Sequence, residues 1–252
     1  MNYRPNHTCQ IPALNQHYLD LFGYKTSGLF VEVGALDGES TSNTDLLADI
    51  GWTGIYIEPI EEFAAKCSDR HKTNNVTVET IAVSTCDDVA TIHVMHGGLS
   101  TMSVDVLDEL KTIEWSAWAA NIAKPRTVNT TTLTSILHKH NVASCFDLLV
   151  IDVEGSEHQV LTGLDVSIFR PRVIIVEINR NFKYVTKTSE LIYLWMKAHY
   201  YREYWFDDIN SIFIDDTQYN TGEEHAIKSI THEKSVRSSR KLVDGRVVVS
   251  FL

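Results

Sequence analysis

Acidic side chains crowd the ends of two neighbouring apolar runs in the second half of the chain. Asp152 and Glu154 follow the run DLLVI, His158 comes shortly after, and Glu177 lies near the end of the run RVIIVEI. Two acids at the mouth of a buried strand are costly unless they bind something. Each of the four side chains could take a proton from a hydroxyl group of a bound molecule. The pattern therefore predicts a proton-transfer centre, with Asp152 as its first candidate base.

The same acids also permit a metal site. Asp152 from one strand end, with Glu177 and Asn179 from the next, could present oxygen ligands that suit Mg²⁺. We rank this site below metal-free base catalysis and so expect no metal ion. Glu157 opens a predicted helix, where an acid complements the helix dipole, and this explains it without a chemical role.

A glycine-containing turn, FVEVGALDGEST, follows an apolar run in the first half of the chain. Gly34 and Gly38 permit positive φ angles and the close approach of a ligand. Ala35 and Asp37 interrupt the three-glycine fingerprint that seats a pyrophosphate. Asp37 would repel a phosphate but suit an ammonium group. The turn therefore favours a cationic, phosphate-free nucleoside cofactor such as S-adenosylmethionine over NAD.

Two further places extend this nucleotide end. Glu58 ends the next apolar run, roughly 20 residues after the second glycine, where an acid accepts hydrogen bonds from ribose hydroxyls. Ala82 and Ser84 end the third run and are predicted at the same sheet edge, where they could border the adenine. Ser40 or Thr41 is a candidate cap for the following helix.

Apolar, β-rich runs alternate with helical spacing, which is typical of an α/β fold with a mainly parallel sheet. The predicted strands are 29–33, 54–58, 76–83, 147–152 and 172–178, and the predicted helices are 44–50, 61–70, 133–140, 157–164 and 190–199. YREYWFDD and SIFIDD predict a closing antiparallel hairpin. An extra strand (89–95) and an inserted helical stretch (107–122) depart from the alternation. We expect Trp115 and Trp118 of that insertion to shape acceptor binding.

Composition limits the function further. The 252 residues are 44% hydrophobic and 22% charged, with a net charge of -11, which predicts a globular protein that does not bind nucleic acid. The four cysteines lie far apart and form no CxxC pair, which fits a reducing compartment. No signal peptide and no apolar run long enough to span a bilayer is visible. We therefore expect a cytoplasmic protein that acts on a small molecule or glycan.

The motifs, taken in order, resemble those of the FkbM-type methyltransferases. The matching pieces are FVEVGALDGE, IYIEP, ETIAVS, IHVMHGGLSTMS, TLTSIL, DLLVIDVEGSEHQVLTGLD and VEINR, which together cover roughly residues 30–180. The resemblance implies a Rossmann-like class I methyltransferase fold, S-adenosylmethionine as donor and a hydroxyl acceptor on a sugar or natural product. By motif, it implies that Glu32, Gly34, Asp37, Gly38 and Glu58 line the cofactor, and that Asp152 and Glu154 lie at the reaction centre.

Organisation and rival functions complete the expectations. We expect a methyltransferase domain over residues 1–216 that begins with a helical lead-in, and a polar extension over 217–252 that ends in a small hairpin, KLVDGRVVV. The rivals are a nucleotide-binding module without catalysis and a nicotinamide-dependent oxidoreductase. The module would not need acids at two adjacent strand ends, and the missing third glycine disfavours the oxidoreductase.

Overall fold

The structure is a computed structural model that describes residues 9–178, 183–219, 239–243 and 246–250. It divides into two compact units, Met1–Asp215 and Asp216–Leu252. Asn179 and the Asp244-Gly245 turn lie outside the described residues. Within the described part of the chain, no helix is both long and apolar enough to cross a bilayer.

Strands and helices alternate along most of the chain. The strands are β1 (Leu29–Val33), β2 (Thr53–Ile57), β3 (Val76–Glu79), β4 (Ala82–Val83), β5 (Asp88–Val94), β6 (Lys124–Thr131), β7 (Cys145–Ile151), β8 (Arg170–Glu177), β9 (Tyr201–Phe206), β10 (Asn210–Asp215), β11 (Ser239–Val243) and β12 (Arg246–Ser250). The helices are α1 (Leu14–Phe22), α2 (Asp45–Asp49), α3 (Glu61–Arg70), α4 (Val104–Leu110), α5 (Ala117–Asn121), α6 (Leu133–Lys139), α7 (Glu157–Thr162), α8 (Lys183–Ala198) and α9 (Asp216–Tyr219). A short 3₁₀ turn spans His96–Gly98.

A seven-stranded sheet in the order β3-β2-β1-β7-β8-β10-β9 forms the centre of the first unit. The five neighbouring strands β3, β2, β1, β7 and β8 run parallel to one another, whereas β10 pairs antiparallel with both β8 and β9. The central strands are apolar because helices cover both faces of the sheet; Leu149 and Ile174, for example, are fully buried. The expected mainly parallel sheet with a closing antiparallel hairpin is confirmed.

A second, three-stranded sheet, β4-β6-β5, corrects two expectations. The predicted strand 76–83 is two strands, because β3 belongs to the large sheet and β4 pairs with β6. The predicted extra strand is β5, and its antiparallel partner β6 was not predicted. The sequence of β6, KPRTVNTT, is polar and largely exposed, so it lacks the apolar pattern by which strands are recognised.

The insertion and α2, the helix after the glycine turn, also differ in detail from the prediction. The expected single helical stretch 107–122 is two short helices, α4 and α5. The hydroxyl of Ser116 donates to the carbonyl oxygen of Leu110 at 2.8 Å, a local hydrogen bond that competes with continued helix. Neither Ser40 nor Thr41 caps α2, because that helix begins only at Asp45.

The second unit contains α9 and an antiparallel hairpin. β11 pairs with β12, with Ser239 opposite Ser250 and Val243 opposite Arg246. These two strands contain the KLV and RVVV segments of the hairpin predicted from the sequence.

We expect Leu149→Ala to lower the free energy of unfolding by ~2–5 kcal/mol, because it opens a cavity in the middle of the buried strand β7. Urea denaturation followed by circular dichroism measures this. Val89→Ala is the matched control, since Val89 lies on β5 with 57% of its surface exposed; its cost should stay within ~0.5 kcal/mol. Equal costs for the two variants would contradict the assigned core.

Candidate active site

The carboxyl ends of three parallel strands meet at one edge of the large sheet. Gly34 follows β1, Glu58 follows β2 and Asp152 follows β7. The backbone N–H of Gly34 donates to the carbonyl oxygen of Ile57 at 2.9 Å, and that of Asp152 donates to the carbonyl oxygen of Val33 at 3.0 Å. The strand order reverses between β1 and β7, which is where open α/β sheets bind ligands.

Gly34 allows β1 and β7 to come this close. Its φ is +88°, and a Cβ atom built on it would lie 1.7 Å from the carbonyl oxygen of Asp152. Any side chain at this position would therefore push the two strand ends apart. The first glycine of the turn is required by chain packing as well as by cavity shape.

A cavity opens above these strand ends. Its volume is about 560 Å³ when the part open to solvent is included. Gly34, Leu36, Glu58, Asp152 and Glu154 form its polar and backbone side. Its apolar side consists of Ile57, Pro59, Ile60, Phe63, Ile81, Ala82, Val83 and Ile92. A mostly apolar cleft of this size with a few converging polar groups is the usual form of a cofactor site.

Glu58 is the acid that lines this cavity directly after β2. Its two carboxylate oxygens accept hydrogen bonds from the backbone N–H groups of Leu36 (3.0 Å) and Ile60 (2.9 Å). Burial raises the pKa of Glu58 to about 7, against the effect of these two hydrogen bonds. A carboxylate has about four acceptor positions, so Glu58 keeps positions for hydroxyl groups of a ligand.

Glu32, Ala35 and Asp37, which were also predicted to bind the cofactor, lie in or beside the glycine turn but do not line this cavity. The buried carboxylate of Glu32 accepts hydrogen bonds from the hydroxyls of Ser42 (2.9 Å) and Thr44 (2.5 Å). Ala35 is 2% exposed. The Asp37 carboxylate accepts from its own loop, with the backbone N–H of Ser40 at 2.7 Å.

Gly38 has a packing role. Its φ is +74°, and a Cβ atom there would lie 2.7 Å from the Sγ of Cys67. Its carbonyl oxygen lies 2.7 Å from the Nε2 of His71. Ala82 lines the cavity, whereas Ser84 does not; the backbone N–H of Ser84 donates to the carbonyl oxygen of Thr131.

Three carboxylates lie together at the ends of β7 and β8, and two of them, Asp152 and Glu154, line the cavity. One oxygen from each of Asp152, Glu154 and Glu177 lies within 4.8 Å of the others. Burial raises the pKa of all three, and the neighbouring carboxylates raise those of Glu154 and Glu177 further. Like charges this close cannot all be ionised at neutral pH. Glu177 is hydrogen-bonded to Asp152; this hydrogen bond adds to the rise in the pKa of Glu177 and partly opposes the effect of burial on the pKa of Asp152, which remains raised.

Gln10 is a neighbour of this cluster that the sequence did not indicate. Its side chain forms a hydrogen bond with Asp152, which also opposes the effect of burial on the Asp152 pKa. Its Oε1 is buried and has no hydrogen-bond partner among the described residues. No motif marks this contact, because Gln10 lies in the lead-in, far from Asp152 along the chain.

The turn that carries Glu154 is held from two sides. Glu154 has a φ of +53°, a backbone conformation that non-glycine residues rarely adopt. The Oε1 of Glu157 accepts hydrogen bonds from the N–H groups of Val153 (3.2 Å) and Gly155 (2.9 Å). The hydroxyl of Thr101 donates to the carbonyl oxygen of Glu154 at 2.6 Å. Glu157, expected only to complement a helix dipole, therefore positions the turn that carries Glu154.

His158 is the candidate base that the structure does not place with the others. It lies on α7 and does not line the cavity, and burial lowers its pKa. Asn179, a ligand in the alternative metal site, lies outside the described residues. Within the described residues, that site consists of Asp152 and Glu177. Glu154 lies close enough to both to be a further ligand.

The sheet order, the glycine turn after β1 and the acid after β2 define a class of protein. They are those of an S-adenosylmethionine-dependent methyltransferase with the Rossmann-like class I fold. The sequence pattern described as the methyltransferase FkbM domain matches residues 32–203. The chain belongs to the FkbM methyltransferase family. No curated protein sequence matches it closely enough to count as a relative.

Solved structures with a similar fold are distant in sequence. A putative caffeoyl-CoA O-methyltransferase from Staphylococcus aureus is 11% identical with a TM-score of 0.45, over 83% of this chain and 87% of that one. A putative rRNA-methylase from Clostridium thermocellum is 9% identical with a TM-score of 0.44, over 81% and 97%. TrmK from M. capricolum, in complex with S-adenosyl-homocysteine, is 10% identical with a TM-score of 0.41, over 83% and 70%.

The buried acid Glu32 predicts a pH dependence of stability. Its pKa is raised from 4.5 to about 7, chiefly by burial. A raised carboxyl pKa means that the folded state binds the proton more tightly, so this stabilisation is complete below pH 4.5 and is lost as the pH rises through 7. Between pH 4.5 and 7, the free energy of unfolding should therefore fall less in Glu32→Gln than in the unmodified protein. The difference between the two falls should be at most ~3 kcal/mol.

Urea denaturation at several pH values measures this difference. The control is Glu61→Gln, because Glu61 is an exposed acid at the start of α3. Glu58 and Glu157 are unchanged in all three proteins, so their effects cancel in the comparison. Parallel stability profiles for Glu32→Gln and the unmodified protein would contradict the assignment.

Proposed function

We propose that this protein transfers a methyl group to a hydroxyl oxygen of a sugar, a glycan or a related small molecule. The observation that carries the proposal is the cavity itself. Its lining includes a buried acid, Glu58, a set of apolar side chains, and the two acids Asp152 and Glu154. Glu58 suits the ribose of a nucleoside, and Asp152 and Glu154 suit the removal of a proton.

The residues present fit S-adenosylmethionine. Glu58 would accept hydrogen bonds from the ribose hydroxyls, Gly34 and Leu36 would border the amino-acid part, and Ile60, Phe63 and Ala82 would contact the adenine. The wall is apolar where a flat ring would lie, and no phosphate-binding cradle is required. When bound, this cofactor supplies a methyl group on a cationic sulfur and departs as S-adenosylhomocysteine.

Asp152 is the residue that we assign to the acceptor proton. The acceptor oxygen must lose its proton to Asp152 as the new oxygen–carbon bond forms, so that charge balances. Among the three clustered acids, Asp152 alone accepts hydrogen bonds from both Glu177 and Gln10. These donors favour its ionised form, which is the form a base needs, while burial keeps its pKa above the ordinary value.

A divalent cation is the second candidate for this place. The observation in its favour is the convergence of three carboxylate oxygens within 4.8 Å, an arrangement that also suits Mg²⁺. We rank it second because a shared proton already relieves the repulsion between Asp152 and Glu177. A cytoplasmic location, the absence of nucleic-acid binding and the boundary at residue 216 remain predictions from the sequence.

Calorimetry with S-adenosylhomocysteine and with NAD separates the proposal from its rivals. We expect the first to bind and NAD not to bind. Glu58→Ala should weaken S-adenosylhomocysteine binding by ~1–3 kcal/mol, the cost of losing a hydrogen bond to a charged group. Glu61→Ala, an exposed acid at the start of α3, is the control and should bind normally. Unchanged affinity in Glu58→Ala would remove Glu58 from the cofactor site.

We expect Asp152→Asn to lower the turnover number by ~10²–10⁴-fold, the range that general acid–base catalysis contributes. Affinity for S-adenosylhomocysteine should hardly change, because asparagine keeps the shape of the side chain. Mass spectrometry of methyl transfer to a panel of glycans supplies the turnover measurement. A variant with near-normal turnover would rule out Asp152 both as the base and as a metal ligand.

Treatment with EDTA decides between the base and the metal. Activity that resists EDTA, together with an inactive Asp152→Asn variant, supports the base. Activity that EDTA abolishes and Mg²⁺ restores would establish the metal site instead. Binding of S-adenosylhomocysteine without any methyl transfer across the panel would favour a nucleotide-binding module.

A further inference from the structure

A second cavity lies beside the cofactor cavity and shares part of its wall. Leu36, Phe63 and Gly98 line both cavities. The second cavity is larger, at about 1080 Å³ including the part open to solvent. It lies between the glycine turn, α3 and the two ends of the insertion that follows β5. A molecule in this cavity would therefore be next to the cofactor cavity.

Aromatic and apolar side chains stand exposed at the insertion side of this cavity. The rings of His96 and Trp118 lie 5.8 Å apart at an interplanar angle of 48°. His96 and Ile122 line the cavity, and Trp118 and Ile122 are 57% and 64% exposed. The insertion has its own buried cluster, which includes Leu107 and Leu110 but not Trp118. Trp118 is therefore not needed to hold the insertion together, and exposed apolar groups beside a cavity mark a binding surface.

Positive charge lies on the same cavity. Lys66 and Lys124 both line it, and both are exposed. Neither forms an ion pair within 4.0 Å with any residue that the structure describes, and the Lys66 Nζ lies 5.6 Å from the centre of the Phe63 ring. Asp37 also lines the cavity, but both of its carboxylate oxygens accept hydrogen bonds from its own loop. Two lysines without ion pairs at one cavity are a distinct feature in a chain of net charge -11.

We propose that this second cavity is the acceptor site and that it takes a sugar carrying an anionic group. The sugar ring would pack on Trp118, and Lys66 and Lys124 would bind a phosphate or carboxylate group, since ammonium groups bind both as point charges. This assignment rests on the proposed methyltransferase function and adds the charge of the acceptor to it. The hydroxyl of such an acceptor would reach Asp152 in the cofactor cavity past Leu36, Phe63 and Gly98, which line both cavities.

The test uses the full-length protein saturated with S-adenosylhomocysteine and three probes: glucose, glucose 1-phosphate and glucuronic acid. Calorimetry should show the two anionic probes binding about tenfold tighter than glucose, the gain from one charge-assisted contact. Lys66→Met and Lys124→Met should each reduce this preference. The matched control is Lys72→Met, because Lys72 is an exposed lysine just after α3 that pairs with Asp69.

Trp118→Ala should weaken the binding of all three probes. Trp115→Ala is the matched control, since Trp115 lies in the same insertion and is equally exposed, at 58%, but only Trp118 has a ring close to that of the cavity residue His96. The expectation from the sequence, which included Trp115, is therefore narrowed to Trp118. The thermal midpoint and the affinity for S-adenosylhomocysteine, measured for each variant, show that the fold and the cofactor site are intact. The two anionic probes distinguish a phosphate acceptor from a carboxylate acceptor.

The outcomes separate the two proposals. Failure of S-adenosylhomocysteine to bind would overturn the proposed function. If S-adenosylhomocysteine binds, three results overturn the acceptor site alone: none of the probes binds, glucose binds as tightly as the anionic probes, or the lysine and Trp118 variants behave like their controls. An anionic preference that falls in both lysine variants, with weaker binding in Trp118→Ala, supports it.

Discussion

The contact between Gly34 and the backbone of Asp152 is the constraint on which the site depends. Gly34 carries no Cβ atom, and none would fit there. The strands β1 and β7 can therefore end side by side, and their carboxyl ends open into one cavity. Glu58 and Asp152, which follow β2 and β7, both line that cavity although they lie 94 residues apart in the chain (152 − 58). Their proximity follows from one residue type at one strand end and from the reversal of strand order there.

The buried acids around the cavity fall into two groups that differ in their partners. Glu32, Glu58 and Glu157 each accept hydrogen bonds from backbone N–H groups, and each fixes a turn beside the site. Asp152, Glu154 and Glu177 instead lie against one another, and burial raises the pKa of each. Perturbed carboxylates without backbone donors are the candidates for proton transfer, whereas a backbone-bonded carboxylate such as Glu58 can accept ligand hydrogen bonds only at its remaining positions.

The stretch 96–122, which includes the insertion, joins the two cavities. Gly98 and Ser100 line the first cavity, and Thr101 holds the turn of Glu154. The stretch continues through α4 and α5 to Ile122, which lines the second cavity. One stretch of chain therefore contacts the turn of Glu154 and both cavities. A change in this segment can alter acceptor choice without disturbing the large sheet, because the insertion has its own small buried cluster.

The amino-acid sequence by itself determined the class of fold and the strand ends that carry the chemistry. Apolar runs, a glycine turn and acids at strand ends are local patterns, so α3 and the acids at 58, 152 and 177 could be read from neighbouring residues alone. The tertiary structure decided which acids meet and which only support the turns. Glu32 and Asp37 were grouped with Glu58 in the predicted cofactor set, but their hydrogen bonds turn them toward the chain. Glu157, expected only to complement a helix dipole, holds the turn of Glu154. Gln10, the strand β6 and the second cavity depend on contacts between distant segments, and such contacts leave no periodic pattern in the sequence.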